Sequence, residues 1–289
     1  MSAQLDALTA VQNLPPAERA SRLVEIGRDF LSGGPNGASS DVASALVAQV
    51  RELLGEHAGT GKERLALGEI LGTLGDPRIC RPSADDYWVS VPSDTGTVVI
   101  GRFPVTNDEY RAWSDNGGYD DRSVWSEEGW AWRERTEDPW PSRAGAEGSE
   151  PFVVSNQPVV GVTWWEAEAY ATASGARLPR ADERVWVIRG RERRPYPWGS
   201  PFGTGNANTR EEVLGRPCAV GIYLRDRTPE GVCDLAGNAA EWTADRVGND
   251  RLIHPGAWDQ PSLAAWAKAL TVESPDSRWA GIGFRLARD

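Results

Sequence analysis

Fourteen tryptophans against a single methionine, set among 31 glycines and 20 prolines, restrict what this 289-residue chain can fold into. Tryptophan is a large rigid body with one N–H to satisfy. A chain uses many of them where few residues between tight turns must build a core, or where a surface must bind. From Asp86 onward the sequence has that character, with short strands such as YWVSV and TVVIGRF and frequent Gly and Pro turns. Two helices are well marked there. TNDEYRAWSDN carries Thr106 with Glu109 three residues on, and TWWEAEAYATASG repeats the pattern with Thr163 and Glu166 before Gly175 ends it. In each case a side-chain cap and a back-reaching Glu satisfy the first free N–H groups of the helix. Isolated helices among short strands predict an α+β domain over residues 81–289.

Residues 1–80 read as a small α-helical bundle. Leu5, Leu8, Val11 and Leu14 recur every three residues until Pro15-Pro16 interrupts them, and PAERASRLVEIGRDFL restarts with Leu23, Val24 and Phe30 on one face. SGGPNGASS, residues 32–40, is a loop by composition. DVASALVAQVRELLGEH opens on Asp41 as its N-cap and carries Val42, Leu46, Val50, Leu53 and Leu54. GKERLALGEILGTLG stops at Gly75 before Asp76-Pro77, and His57 reads as a last-turn residue. Nothing in this segment carries chemistry. Residues 3–76 are expected to dock a partner or to oligomerise.

A net charge of −11 and a pI near 4.9 argue against nucleic acid and anionic membrane as partners, because both demand clustered Lys and Arg. The one basic run, Arg189, Arg191, Arg193 and Arg194, reads as a solvated helix end. The N-terminus lacks a signal-peptide pattern, and no run approaches the roughly 18 apolar residues of a spanning helix. With three cysteines, Cys80, Cys218 and Cys233, an odd number that suits free thiols, the expected location is the cytoplasm.

Five motifs follow one another over the larger domain: RFPVTNDEYRAW, QPVVGVTWWEAEAYATASGARLP, RPYPWGSPF, GVCDLAGNAAEWTAD and GIGFRLARD. Their order resembles the formylglycine-generating-enzyme and sulfatase-modifying-factor superfamily, a variant of the C-type-lectin fold. One departure lies in RADERVWVIRG, where Glu183 is kept but Arg184 stands at the usual tryptophan, with Trp186 expected to fill that volume.

The resemblance implies calcium held by loop carbonyls and carboxylates. The matching positions are Asp234, Gly237, Ala239 and Glu241, and more weakly Asn208, Thr209, Glu212 and Leu214, a set of hard oxygens of the kind calcium takes. The alternative is that Asp234 and Glu241 only accept backbone N–H bonds. Catalytic members of the superfamily are implied to hold copper through two cysteines in the C-terminal segment. Here that segment, HPGAWDQPSLAAWAKALTVESPDSRWAGIGFR, contains none, and Cys218 and Cys233 read as buried structural thiols. The related iron-dependent branch needs a histidine triad, whereas this sequence has only His57 and His254. No zinc pattern, Gly-x-Ser-x-Gly elbow or phosphate-binding glycine loop is present.

The remaining expectation is a ligand- or protein-binding module without catalysis. It resembles the variable proteins of diversity-generating retroelements and sensor domains of bacterial conflict systems, with recognition through the C-terminal segment. There Trp258, Asp259, Gln260, Ser262, Leu263, Trp266, Lys268 and Trp279 mix aromatic anchors with adaptable polar groups. A second candidate surface is the insertion with Trp125, Trp130, Trp132 and Trp140. An enzyme with an unrecognised active site and a structural adaptor are the competing readings, and the partner is a protein or a small molecule.

Overall fold

A computed structural model of the chain describes residues 3–33, 40–137, 139–140, 144 and 146–289. The loop expected over residues 32–40 falls largely outside them. The chain forms two compact units that divide between Arg78 and Ile79, where the sequence suggested Cys80 and Arg81. Among the described residues, no helix is long and apolar enough to cross a membrane.

The described residues of the first unit form four helices, α1 (Ala3–Val11), α2 (Pro16–Ser32), α3 (Ser40–Gly55) and α4 (Gly61–Leu74). Leu8, Val11, Leu23, Val24, Phe30, Val42, Leu46, Val50, Leu53 and Leu54 are all buried, the faces that their spacing picks out. α3 begins one residue before the expected cap, which puts Asp41 inside the first turn, where its charge still suits the helix dipole. His57 lies beyond the helix end, in the left-handed region at φ 55°.

The second unit is α+β. Strands β1 (Trp88–Ser93) and β2 (Gly96–Gly101) form an antiparallel hairpin, to which β7 (Ala287–Arg288) adds. A second sheet runs in the order β5-β4-β3-β6, with β3 (Ala240–Val247), β4 (Asp250–His254), β5 (Thr271–Glu273) and β6 (Ile282–Gly283). β6 pairs with β3 in parallel. At Gly283 a Cβ would sit 2.3 Å from the Val159 carbonyl oxygen, so only glycine lets the two backbones approach this closely.

The same unit holds the helices α5 (Asn107–Asp115), α6 (Glu127–Arg135), α7 (Trp164–Ala173) and α8 (Ala181–Arg189). α5 and α7 start at the capping boxes of Thr106/Glu109 and Thr163/Glu166. The core between them is aromatic. Tyr110, Tyr119, Trp125, Trp132, Trp140, Trp164, Trp165, Tyr170, Trp242 and Phe284 share one cluster. Three of the insertion's four tryptophans are therefore part of the core. Trp125 stacks on Trp132, the Trp140 indole donates to the Val160 carbonyl at 3.2 Å, and only Trp130 of the four stays half-buried.

Candidate functional site

Beyond β4, backbone and side-chain hydrogen bonds tie the segment of residues 255–279 to the rest of the domain. The Arg210 amide donates to the Gln260 carbonyl and Arg210 Nε to the Asp259 carbonyl, both at 2.9 Å. The Ser262 amide donates to Glu211 Oε1 at 2.8 Å, and Glu211 Oε2 accepts from the Thr209 hydroxyl at 2.7 Å. Burial would raise the Glu211 carboxyl, but these donors hold it at about 2. Trp279 Nε1 donates to Asp259 Oδ2 at 2.5 Å, and Trp258 Nε1 to the Ala280 carbonyl at 3.3 Å, with the Trp258 ring beside Phe152.

These contacts divide the eight candidate residues into two groups. Trp258, Asp259, Gln260, Ser262 and Trp279 are half-buried and tied into the frame. Leu263, Trp266 and Lys268 are exposed, Leu263 at 78% and Trp266 at 43%. The 3₁₀ turn Ser262–Ala265 and the segment after it present them while Ala265 and Ala267 between them are fully buried. Leu270 and Val272, 41% and 45% exposed, extend this apolar run onto β5, an edge strand. Neither was legible as a site residue, because a Leu before a short strand and a Val within it look like core in sequence.

Beneath the segment lies a charged centre. Glu241 Oε2 accepts from Arg184 Nε at 2.7 Å, and both of its oxygens accept from Arg285, at 2.7 to 3.0 Å. Burial would raise Glu241, but the two guanidinium groups hold it at about 2. Arg184 thus answers the sequence departure at its position. It makes a buried ion pair, and Trp186 turns instead to β1, donating to the Pro92 carbonyl at 3.0 Å.

The first calcium expectation does not survive this geometry. The Asp234 carboxylate accepts from the Gly221 amide at 2.7 Å. The Gly237 carbonyl accepts from the Ala239 amide at 2.9 Å, and the Glu241 carboxylate lies between two fixed cations that would repel a third. The weaker set does not fit either. Glu212 is spent on the Gly205 amide at 2.5 Å and the Tyr223 hydroxyl at 2.8 Å, while the Asn208 amide donates to the Arg216 carbonyl and to Asn238 Oδ1. The Thr209 carbonyl accepts from the Glu212 amide at 2.9 Å, and Leu214, whose carbonyl completes that set, is half-buried. Asn208 Oδ1 is buried without a partner, but that oxygen and the two backbone carbonyls fall far short of the six to eight oxygens that calcium takes. Among the described residues, no group of three His, Cys, Asp or Glu side chains is placed to hold a metal ion.

The thiols and the second histidine are similarly committed. Cys218 and Cys233 are buried thiols outside any disulfide, and burial pushes Cys233 up to about 12, which makes it a poor nucleophile. His254 ends β4 with Nε2 3.0 Å from the Trp266 carbonyl, and burial holds it well below the usual histidine range, so it is neutral. This contact also fixes the backbone under the exposed Trp266 ring.

Residues 93–289, more than half of the chain, match the family model described as a sulfatase-modifying factor enzyme 1-like domain. The hercynine oxygenase of Mycolicibacterium thermoresistibile is 38% identical over 231 residues, covering 66% of this chain and 50% of that protein. The chain therefore spans about half the length of this curated relative. Among solved structures, PvdO from Pseudomonas aeruginosa superposes with a TM-score of 0.51 at 20% identity, covering 70% of this chain and 90% of that one. The Treponema denticola variable protein 1 gives 0.49 at 18% identity, covering 67% and 84%. The second unit thus has the C-type-lectin-like fold of formylglycine-generating enzymes, and the chain belongs to the family of sulfatase-modifying factor enzyme 1-like domains.

Proposed function

We propose that the chain is a recognition module without catalysis, binding a protein or small molecule through the segment from Trp258 to Trp279. The observation that carries this reading is the exposure of Leu263 and Trp266, with Leu270 and Val272, on backbone that buried alanines and the His254 contact hold rigid. A preorganised apolar patch of this kind loses little entropy when a partner covers it. The absence of cysteine from residues 254–285 and the inert Cys233 thiol support it. A retroelement-diversified variable protein or a conflict-system sensor would use such a surface, with the helical unit of residues 3–76 docking or oligomerising, and the cytoplasm is the proposed location.

The test compares the wild-type chain with Leu263→Ser/Trp266→Ala in pull-downs from native lysate. A partner held by the wild type should be lost by the variant at an unchanged Tm, since both side chains are outside the core. Identical partners on both proteins would refute the patch. A second reading, an oxygenase-type enzyme, is favoured by the similarity to hercynine oxygenase. Stoichiometric iron or copper in the purified protein, or oxygen consumption with hercynine, would replace the first reading with this one.

A further inference from the structure

The oxygen atoms of the loop leading into β3 converge on guanidinium groups. Arg285 Nη2 donates to the Cys233 carbonyl at 2.9 Å, the Asp234 carbonyl at 3.0 Å and Glu241 Oε1 at 2.7 Å. Its Nη1 donates to the Gly101 carbonyl at 3.1 Å. Arg184 enters from α8, donating through Nε to Glu241 and through Nη2 to the Leu235 carbonyl at 3.0 Å. Three successive carbonyls, 233 to 235, and one carboxylate thus face cations that belong to the chain. Arg184, Glu241 and Arg285 are 1%, 0% and 0% exposed, so no solvent screens them.

A buried carboxylate beside a row of carbonyl oxygens requires a positive charge, and a bound divalent ion is one way to provide it. A guanidinium is another. It is always ionised, it presents a planar fork of donors, and it cannot dissociate. A loop held by a bound ion gains stability with ion concentration, whereas a loop held by a covalently attached cation does not. Arg184 has no role in the hydrogen bonding of the sheets, and it reaches Glu241 across 57 residues of sequence.

We propose that Arg184, acting with Arg285 on Glu241 and the carbonyls of residues 233–235, is the built-in cation of this loop, standing in for a divalent metal and making the domain's stability independent of calcium. This role does not depend on what the exposed segment binds.

The experiment follows thermal unfolding of the full chain in chelator and across a calcium titration. The wild-type Tm should be the same throughout, and a saturable rise with calcium would overturn the proposal. Arg184→Met keeps the apolar stem and removes the charge. Its Tm should fall by several degrees, and Arg184→Lys, which restores the charge without the fork, should recover part of that loss. The double variant Arg184→Met/Glu241→Gln should lose clearly less than the sum of the two single losses, because each single change leaves the other charge less well paired. Additive losses, or Arg184→Met as stable as the wild type, would make Arg184 a mere space-filler. Should Arg184→Met fail to fold, the calcium titration of the wild type and the Tm of Arg184→Lys still decide the question.

Discussion

At Gly237 there is no room for a methyl group. A Cβ would lie 2.5 Å from the Asn208 carbonyl oxygen and 2.9 and 3.0 Å from the carbonyl carbon and amide nitrogen of the same residue, all of them backbone. Gly237→Ala should therefore cost about 1–3 kcal/mol, the usual range for overpacking. Urea unfolding measures it, and a loss below about 0.5 kcal/mol would mean that the two loops separate easily. The residue types in GVCDLAGNAAEW were readable as an oxygen-rich turn. What was hidden was the origin of the countercharge, because Arg184 lies 57 residues before Glu241 and Arg285 44 residues after it. Local pattern carries the acceptor loop, and only tertiary structure brings the donors.

Elements whose start signals are local were the legible ones. Thr163 Oγ1 and the Thr163 amide both donate to Glu166 Oε2, the remaining Glu166 oxygen accepts the Tyr119 hydroxyl at 2.7 Å and the Trp140 amide at 2.9 Å, and all of this is buried. Thr163→Ala should destabilise the domain by about 1–2 kcal/mol, the upper part of the range for a lost cap, since a buried carboxylate also loses a donor. An unchanged denaturation midpoint would show that packing alone fixes where α7 begins. α6 was not legible. Its sequence, EEGWAWRER, alternates charge with aromatic residues and shows no apolar stripe, so its tryptophans looked like surface. Tertiary packing decided otherwise, with Trp132 fully buried against Trp125. At the other end of the domain the C-terminal segment combined both cases. Its small buried alanines and tied backbone could not be read from residue type, while the exposure of Leu263 and Trp266 agrees with a surface role for that stretch.

For the molecule as a whole, burial of acids sets how stability responds to pH. Burial raises Glu109 from 4.5 to about 7, against the Thr106 hydroxyl and amide that pull it down. Burial, with the neighbouring Asp234 charge, raises Asp226 from 3.8 to about 7 against the N–H groups of residues 235–237. A raised acid holds its proton in the folded state after the unfolded chain has released it, so its stabilising contribution is present below its ordinary value and is lost as pH rises to about 7. His254 works in the opposite direction. It is held neutral when folded, and its contribution is lost as pH falls below 6.5. Two downward slopes and one upward slope leave a net decline with rising pH between 4.5 and 6.5. Each proton contributes up to about 1.4 kcal/mol per pH unit. Glu109→Gln removes one downward slope and leaves the other two opposed. The stability difference between Glu109→Gln and the wild type, from urea curves at successive pH values, should shift in the variant's favour as pH rises from 4.5 to 7. A constant difference across that window would place the Glu109 carboxylate in its ionised form at neutral pH, and its burial would then have to be balanced by a donor other than Thr106.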